Sequence, residues 1–349
     1  MSARVSLRHV LTAAALMCCM SPAASAGDAA LLNSCWAPDA LAGKPGENIA
    51  RKRNHSFDKP PADLATPEGH EPDTPYGAIR SVKLPAGRKL IALTFDLCEQ
   101  PGEIAGYDGA IIDFLRRENI KATFFAGGKW MRSHEDRTQQ LMSDPLFELG
   151  NHSEAHRNLR LLSGQRLHDE VAGPQRAYAA IRAHLSEKQC TAAAGSSTMQ
   201  SIAPRLSLFR FPYGACNPAA LKELQAQGLR AIQWNLATGD PDPRESSATI
   251  IRAMLQAKPG AIIVNHANGR GWHTAAALPF AIDKLRKKGF EFVTVSELLA
   301  AGEPVVSSEC YDNRPGDTNR YDHLVLLRPS ARAALARTAK MTPAKKPAR

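Results

Sequence analysis

The sequence predicts an α/β fold in which seven parallel strands close, or nearly close, into a barrel. The first observation is a series of seven short apolar runs between residues 89 and 299. Each run is apolar at successive positions, as in strands that are covered on both faces. The second observation is that longer amphipathic stretches with helix signals separate these runs. Regular alternation of such strands and helices is typical of parallel α/β domains.

The predicted strands follow one another at short intervals and are bounded by polar or turn residues. They are Leu90–Phe95, Ala122–Ala126, Leu146–Leu149, Leu206–Phe211, Ala231–Leu236, Ala261–Val264 and Phe290–Val295. One helix is predicted after Asn217-Pro218, an N-cap and a first-turn proline, with Gly228 as its left-handed stop. Another runs from Thr274 to Lys288 and is closed by Gly289. We interpret residues 186–204 as an insertion loop.

Segments of different composition flank the barrel, which we predict over residues 88–302. Residues 1–26 join basic residues, an apolar run and Ala24-Ser25-Ala26, as cleavable signal peptides do. We predict an irregular N-terminal extension over 27–87, a C-terminal extension over 303–327 and a disordered basic tail over 328–349. No stretch reaches the ~20 apolar residues of a membrane-spanning helix. The prediction is a soluble protein that is periplasmic or secreted.

The positive charge is concentrated outside the predicted barrel. Of the formal charge of +10, two units lie in the predicted signal peptide and seven in the tail after Leu327, which leaves about +1 on the body. A nucleic-acid-binding domain would carry its charge on the folded part, so no nucleic-acid partner is predicted. An alternative to simple disorder is that the tail contacts an anionic envelope polymer.

Five cysteines remain after the predicted cleavage. They are Cys35, Cys98, Cys190, Cys216 and Cys310. In an oxidising compartment an odd number leaves at least one thiol free or bound to a ligand. Cys35 and Cys310 lie at the two ends of the body and could staple the extensions to it, but the spacing does not determine the pairing.

Polar residues stand at the ends of five predicted strands, where the side chains of such a fold meet at one edge. They are Asp96, His152, the segment from Arg210 to Gly214, Asp240 and His266. His152 and His156 are four residues apart, so in a helix or tight turn both imidazoles can face one cation, as in half of a zinc site. Five such positions at one edge predict a functional site.

These residues form a recognisable series of motifs. In chain order they are Thr94-Phe95-Asp96, His152-Ser153-x-x-His156, Arg210-Phe211-Pro212-Tyr213-Gly214, Trp234 to Asp240, and His266. The series resembles the polysaccharide deacetylase family, the NodB-homology domain of carbohydrate esterase type, from about Lys89 to Leu299. The resemblance implies a distorted seven-stranded β/α barrel that removes acetyl groups from an N- or O-acetylated polysaccharide. It also implies a divalent metal, with zinc preferred.

The resemblance implies a catalytic role for each matched residue. Asp96 matches the general base that activates the attacking water, and His266 matches the acid that protonates the leaving group. The backbone N–H of Tyr213 would stabilise the oxyanion. Arg210 would orient the base, with Asp240 as the partner of Arg210. Hydrolysis of an amide or ester needs these functions together with an activated water.

The metal site is where the sequence departs from the family pattern. His152 and His156 match two ligands, but Leu97 stands where the family carries an aspartate as the third. A catalytic zinc normally has three protein ligands. The replacements within reach are Glu99, which we prefer, Cys98 and Asp108, and Asp96 itself could enter the metal shell. Each has another interpretation: a solvated loop residue for Glu99, a disulfide to Cys216 for Cys98, and a helix cap for Asp108.

Leu97 also motivates two alternative functions. One is a catalytically silent barrel that binds glycans, and the other is a hydrolase of an acyl amide or ester that is not a carbohydrate. Trp272, in the loop after His266, would either stack on a pyranose ring or pack the loop onto the barrel.

Overall fold

The computed structural model describes residues 29–61 and 76–323. The predicted signal peptide and basic tail lie outside the described residues. The strands are β1 (Arg51–Lys52), β2 (Ala78–Lys83), β3 (Leu90–Leu97), β4 (Glu103–Ile104), β5 (Ala122–Ala126), β6 (Phe147–Asn151), β7 (Leu208–Phe209), β8 (Arg230–Ile232), β9 (Leu236–Ala237), β10 (Ile262–His266), β11 (Glu291–Val293) and β12 (Glu303–Ser307). The helices are α1 (Ala30–Cys35), α2 (Pro38–Leu41), α3 (Gly109–Arg117), α4 (Gly128–Ser133), α5 (Glu135–Ser143), α6 (Gly164–Ser186), α7 (Gln189–Ala194), α8 (Pro218–Ala226), α9 (Ser247–Met254), α10 (Thr274–Lys287) and α11 (Val295–Ala300).

One strongly curled sheet contains ten of these strands. Its order is β12-β2-β8-β7-β6-β5-β3-β10-β9, with β11 beside β3. All of these pairs are parallel except that of β12 with β2. Only residues 233–235 separate β8 from β9, yet β8 pairs with β7 and β9 pairs with β10. One short segment therefore contributes to two separated parts of the strand order. The predicted α/β barrel is confirmed in distorted form.

The predicted count of seven strands is not confirmed, although every predicted run contains a strand. The run at 231–236 divides into β8 and β9, and two further strands join the sheet. Of these, β12 lies in the predicted C-terminal extension, and β2 lies in the extension predicted to be irregular. The strand β2 was not predicted because Arg80 interrupts its apolar pattern. Its guanidinium is accommodated by the carbonyls of Tyr311 and Asp312, and pairing with the distant β8 stabilises the strand.

The helix boundaries follow the local signals. The side chain of Asn217 accepts a hydrogen bond from the backbone N–H of Ala220 at 2.8 Å, which caps α8. Gly228 adopts a φ of +65° after that helix, and Gly289 a φ of +81° after α10. Both helix predictions are confirmed. The predicted insertion loop at 186–204 is partly wrong, since it contains α7 and a 3-10 turn at Ser196–Gln200.

Two disulfides tie the extensions to the barrel. Cys35 is bonded to Cys190, and Cys216 is bonded to Cys310. Cys98 is buried and free, so the alternative of a bond between Cys98 and Cys216 is wrong. Among the described residues, no helix has the length and apolar character needed to cross a membrane.

Candidate active site

The predicted base lies at the carboxyl end of β3, and the register of the sheet places it opposite His266 at the end of β10. Nη1 of the buried Arg210 donates to Oδ1 of Asp96 at 2.9 Å and to Oγ1 of Thr94 at 2.7 Å. Burial alone would raise the pKa of Asp96, but Arg210, with smaller contributions from His152 and His266, outweighs it and lowers the pKa. Asp96 is therefore a carboxylate at neutral pH, as a base must be.

The predicted acid is held by Asp240. Nδ1 of His266 lies 2.9 Å from Oδ1 of Asp240, and the backbone N–H of His266 donates to Oδ2 at 2.7 Å. The hydroxyl of Thr274 donates to the same Oδ2 at 2.8 Å. Burial alone would lower the pKa of His266, but the charge and hydrogen bond of Asp240 outweigh it and raise the pKa. His266 thus keeps its proton to a higher pH than an ordinary histidine.

The predicted partnership of Arg210 with Asp240 is wrong. Arg210 pairs with Asp96, and Asp240 pairs with His266. The guanidinium of Arg210 stacks over the ring of Phe125 at 4.0 Å, and its Nε donates to the carbonyl of Ile232. These contacts enclose Arg210 beneath Asp96. The site therefore contains two separate ion pairs, one at the predicted base and one at the predicted acid.

The two histidines of the predicted metal site meet in a tight turn after β6, with ring centroids 5.0 Å apart. Oγ of Ser153 accepts from the backbone N–H of His156 at 3.1 Å, and His156 has a left-handed φ of +52°. Nδ1 of His152 donates to the carbonyl of Arg210 at 2.9 Å, which leaves Nε2 without a proton in the neutral ring. Burial lowers the pKa of both imidazoles, so both are neutral and suited to bind a cation.

Cys98 completes a group of three with these histidines. One ligand atom from each of Cys98, His152 and His156 lies within 4.8 Å of the other two. Nε2 of His152 and Nδ1 of His156 are buried without a hydrogen-bond partner. Burial and the charge of Asp96 raise the pKa of the Cys98 thiol to about 12. Sulfur and imidazole nitrogen are the ligands that zinc prefers, so these residues fit a divalent cation.

Glu99, the preferred third ligand, does not belong to this group. Its Oε2 accepts from the backbone N–H of Ala105 at 2.9 Å and from the hydroxyl of Ser133 at 2.8 Å, while its Oε1 lies 3.4 Å from Nζ of Lys129. This preference is corrected because the carboxylate is committed to partners inside the protein. Asp108, another candidate, is also outside the group and is the N-cap residue of α3, where burial raises its pKa to about 6.

Tyr213 stands beside the two histidines in the 3-10 turn Pro212–Gly214. It has a left-handed φ of +61°, which is costly for a residue with a side chain and persists only where the surroundings hold it. Its ring lies 4.6 Å from the ring of His156 between centroids, and its hydroxyl accepts from Nε2 of Gln100 at 3.3 Å. These contacts fix the backbone that carries the predicted oxyanion donor.

The groups line a cavity of about 280 Å³ at the carboxyl edge of the sheet. From the predicted site it includes Asp96, Cys98, His156, Tyr213, Asp240 and His266. The other lining residues, which were not predicted as catalytic or metal-binding residues, include Gln100, Trp234, Arg270, Asp312 and Tyr321. The last two follow β12, and no motif marks them; the only signal in the sequence is the nearby Cys310. Trp272 is 46% exposed and does not line this cavity, so its two interpretations stay open.

Residues 83–232 match the family model described as polysaccharide deacetylase. The predicted resemblance to the polysaccharide deacetylase family is confirmed over these residues. Peptidoglycan-N-acetylglucosamine deacetylase PgdA from Listeria monocytogenes is 30% identical over 223 residues, which are 62% of this chain and 41% of the relative. The peptidoglycan-N-acetylglucosamine deacetylase of Bacillus cereus is 27% identical over 223 residues, which are 62% of this chain and 91% of that protein. The chain thus spans less than half of the length of the Listeria relative.

Two solved structures share the fold of this chain. One is a CE4 family pseudoenzyme from Bacillus anthracis, with a TM-score of 0.51 and 23% identity over 69% of this chain and 72% of that one. Another is a peptidoglycan N-acetylglucosamine deacetylase, with a TM-score of 0.53 and 23% identity over 66% of this chain and 96% of that one. At this identity the likeness confirms the fold alone.

Proposed function

We propose that the polysaccharide deacetylase domain removes acetyl groups from an N- or O-acetylated polysaccharide, with a divalent cation held by Cys98, His152 and His156. One observation carries the proposal. The predicted base Asp96, paired with Arg210, and the predicted acid His266, paired with Asp240, line the same cavity as Cys98 and His156. Nε2 of His152 and Nδ1 of His156 are buried there without a hydrogen-bond partner. The curated relatives named as deacetylases of peptidoglycan support an acetylated glycan as the substrate.

Each residue of the site has one task in this reaction. A divalent cation, when bound, supplies Lewis-acid activation of the attacking water and the acyl carbonyl. Asp96 takes the proton of the water, and Arg210 keeps that carboxylate ionised until then. The backbone N–H of Tyr213 donates to the developing oxyanion; loss of such a donor costs about 10²- to 10³-fold in other hydrolases. His266 delivers a proton to the leaving nitrogen or oxygen.

Cys98 takes the role that Leu97 cannot fill. Leu97 is fully buried and has no ligand atom, whereas the sulfur of the next residue lies with both imidazoles. A thiolate beside two imidazoles favours zinc over harder cations such as magnesium. Since the free thiol is protonated at neutral pH, binding of the cation releases its proton.

Elemental analysis of the purified protein tests this ligand set. We expect about one zinc ion per chain in the parent, retention in the Glu99→Gln control, and strong loss in Cys98→Ser and His156→Ala. The cobalt-substituted parent should show a thiolate charge-transfer absorption that Cys98→Ser lacks. Release of acetate from N-acetylated and O-acetylated oligosaccharides then tests the reaction. Full metal retention in Cys98→Ser would contradict the assignment of Cys98.

A catalytically silent glycan-binding barrel is the second candidate function, and Leu97 is the observation that favours it. This candidate requires a parent protein that binds polysaccharide but holds no stoichiometric metal and releases no acetate. Turnover of small acyl compounds, with none on acetylated glycans, would instead support a hydrolase whose substrate is not a carbohydrate. The same panel of measurements separates all three functions.

We infer that the protein acts in the periplasm or outside the cell. The signal-peptide pattern of residues 1–26 supports this location. The disulfides Cys35–Cys190 and Cys216–Cys310 also support it, because such bonds persist in oxidising compartments.

A further inference from the structure

We propose that the segment from Cys310 to Tyr321 forms a sugar-binding subsite, in which Asp312 and Tyr321 contact the ring that carries the acetyl group. Both side chains line the cavity that contains Asp96 and His266, although they lie far beyond residue 232, where the family match ends. The subsite rests on the proposed function, because it serves the same cavity.

A covalent bond holds this segment against the catalytic residues. Cys310 is bonded to Cys216, which follows the turn that carries Tyr213. The side chain of Thr318 is fully buried beside Gly214, the last residue of that turn. The segment therefore packs on the turn at two points and forms a fixed wall of the cavity.

Hydrogen bonds fix the backbone at Asp312 from two directions. The carboxylate of Asp317 accepts from the backbone N–H groups of Asp312, Asn313 and Arg314 at 2.9, 2.8 and 3.0 Å. The guanidinium of Arg80 donates to the carbonyls of Tyr311 and Asp312 at 2.6 and 2.8 Å. A binding group that is already in place loses little conformational freedom when a ligand arrives.

The side chain of Asp312 is oriented but not saturated by its partners. Oδ1 accepts from Nε1 of Trp234 at 3.1 Å, and Oδ2 accepts from Nη2 of Arg320 at 3.2 Å. A carboxylate offers about four acceptor positions, so these two bonds leave capacity for donors in the cavity. Sugar hydroxyls are such donors, and their bonds to an ionised group are stronger than neutral ones. The subsite thus favours an uncharged sugar ring with free hydroxyls over an anionic one.

Tyr321 links this subsite to the reacting centre. Its ring centroid lies 5.0 Å from that of Tyr213, whose ring in turn contacts His156. The 3-10 turn Asp317–Tyr321 is held by Arg160, which donates to the carbonyl of Thr318 at 3.0 Å. A sugar ring against Tyr321 therefore lies next to the oxyanion turn, where its acetyl group must react.

Titration calorimetry with a chitooligosaccharide, alongside acetate release from the same compound, tests the subsite. We expect Asp312→Ala to weaken the Kd about 10- to 100-fold, the usual effect of losing a charged hydrogen bond, and Asp312→Asn to weaken it less. Tyr321→Ala should weaken it while Tyr321→Phe retains most of the affinity. The matched control is Asp283→Ala, since Asp283 is an exposed aspartate paired with Lys287 at 2.8 Å, away from the cavity.

The outcomes separate the subsite from the proposed function. A parent that binds the chitooligosaccharide but releases no acetate from N-acetylated or O-acetylated oligosaccharides overturns the proposed function, and the Kd values of the variants still decide the subsite. Unchanged affinity in both Asp312→Ala and Tyr321→Ala overturns the subsite, even if acetate release persists. Because Asp312→Ala removes a bond to Trp234, thermal denaturation of each variant accompanies the titration. Weakened binding in a variant that melts with the parent supports the proposal.

Discussion

Asp96 and His266 lie side by side at the ends of neighbouring strands, yet their surroundings favour opposite charges. Arg210 stabilises the negative form of Asp96, and Asp240 stabilises the positive form of His266. Pairs of titratable groups whose environments separate their pKa values are typical of acid and base assignments. The pKa values of Asp96 and His266 therefore depend on which charged side chain is paired with each of them.

The replacement Asp240→Asn should shift the alkaline limb of the pH profile of kcat/KM to lower pH. His266 acts as an acid only while protonated, and Asp240 is what raises its pKa above the ordinary value against the effect of burial. Without the negative charge the proton is lost at a lower pH, so activity falls earlier as pH rises. Acetate release measured from neutral to alkaline pH follows the limb. An unmoved limb would show that Asp240 does not tune His266, and Asp283→Asn is the surface control.

At the scale of elements, the loop between β3 and β4 positions Cys98. Lys129 of α4 is fully buried beneath this loop, and its Nζ donates to the carbonyl of Gln100 at 2.9 Å and to that of Glu103. The same Nζ lies 2.9 Å from Oδ1 of Asp58 and 3.4 Å from Oε1 of Glu99. Glu99 is thus part of an internal anchor for the loop that carries the metal ligand.

The replacement Lys129→Ala should lower the free energy of unfolding by about 3–5 kcal/mol, because it leaves the carboxylate of Glu99 buried without its cation. Urea denaturation measures the loss. The double variant Lys129→Met with Glu99→Gln removes both charges, and we expect it to recover part of the stability. A double variant that is less stable than Lys129→Ala would argue against an electrostatic anchor.

At the scale of the whole molecule, the two disulfides join segments that are far apart in the chain. Cys35–Cys190 spans 155 residues and binds the N-terminal helix α1 to α7. Cys216–Cys310 spans 94 residues and binds the segment after β12 to the chain directly after the turn Pro212–Gly214. Of the two bonds, only Cys216–Cys310 lies next to the cavity. It fixes a wall of the cavity, whereas Cys35–Cys190 fixes the N-terminal extension.

Removal of either disulfide should lower the free energy of unfolding by about 2–5 kcal/mol, since each closes a long loop in the unfolded chain. The pairs Cys35→Ser with Cys190→Ser and Cys216→Ser with Cys310→Ser are matched variants for this comparison. Guanidinium denaturation gives the stability, and acetate release at a temperature where both are folded gives the activity. We expect a rise in KM for the second pair only. An equal rise in both pairs would mean that the wall of the cavity does not depend on its local bond.

Several features of the fold and site were predictable because they depend on residues close together in the chain. The apolar runs marked the strands, and Asn217-Pro218 with Gly228 marked α8. The positions of Asp96, His152 and His266 at strand ends predicted one shared edge. The strand β2 was missed because its stability comes from pairing with β8, and the segment at 310–321 was missed because it has neither a period nor a motif.

The sequence by itself therefore determined an α/β barrel with a polar edge and two imidazoles able to face one cation, since periodicity, caps and i, i+4 spacing are local properties. Only the tertiary structure decided that Cys98 rather than Glu99 joins His152 and His156. It also decided that Asp240 serves His266 and that residues after β12 line the cavity. The third metal ligand and the partner of His266 depend on which buried side chains already have a hydrogen-bond or ion-pair partner. Those partners, like the residues that line the cavity, come from parts of the chain that are far apart in sequence.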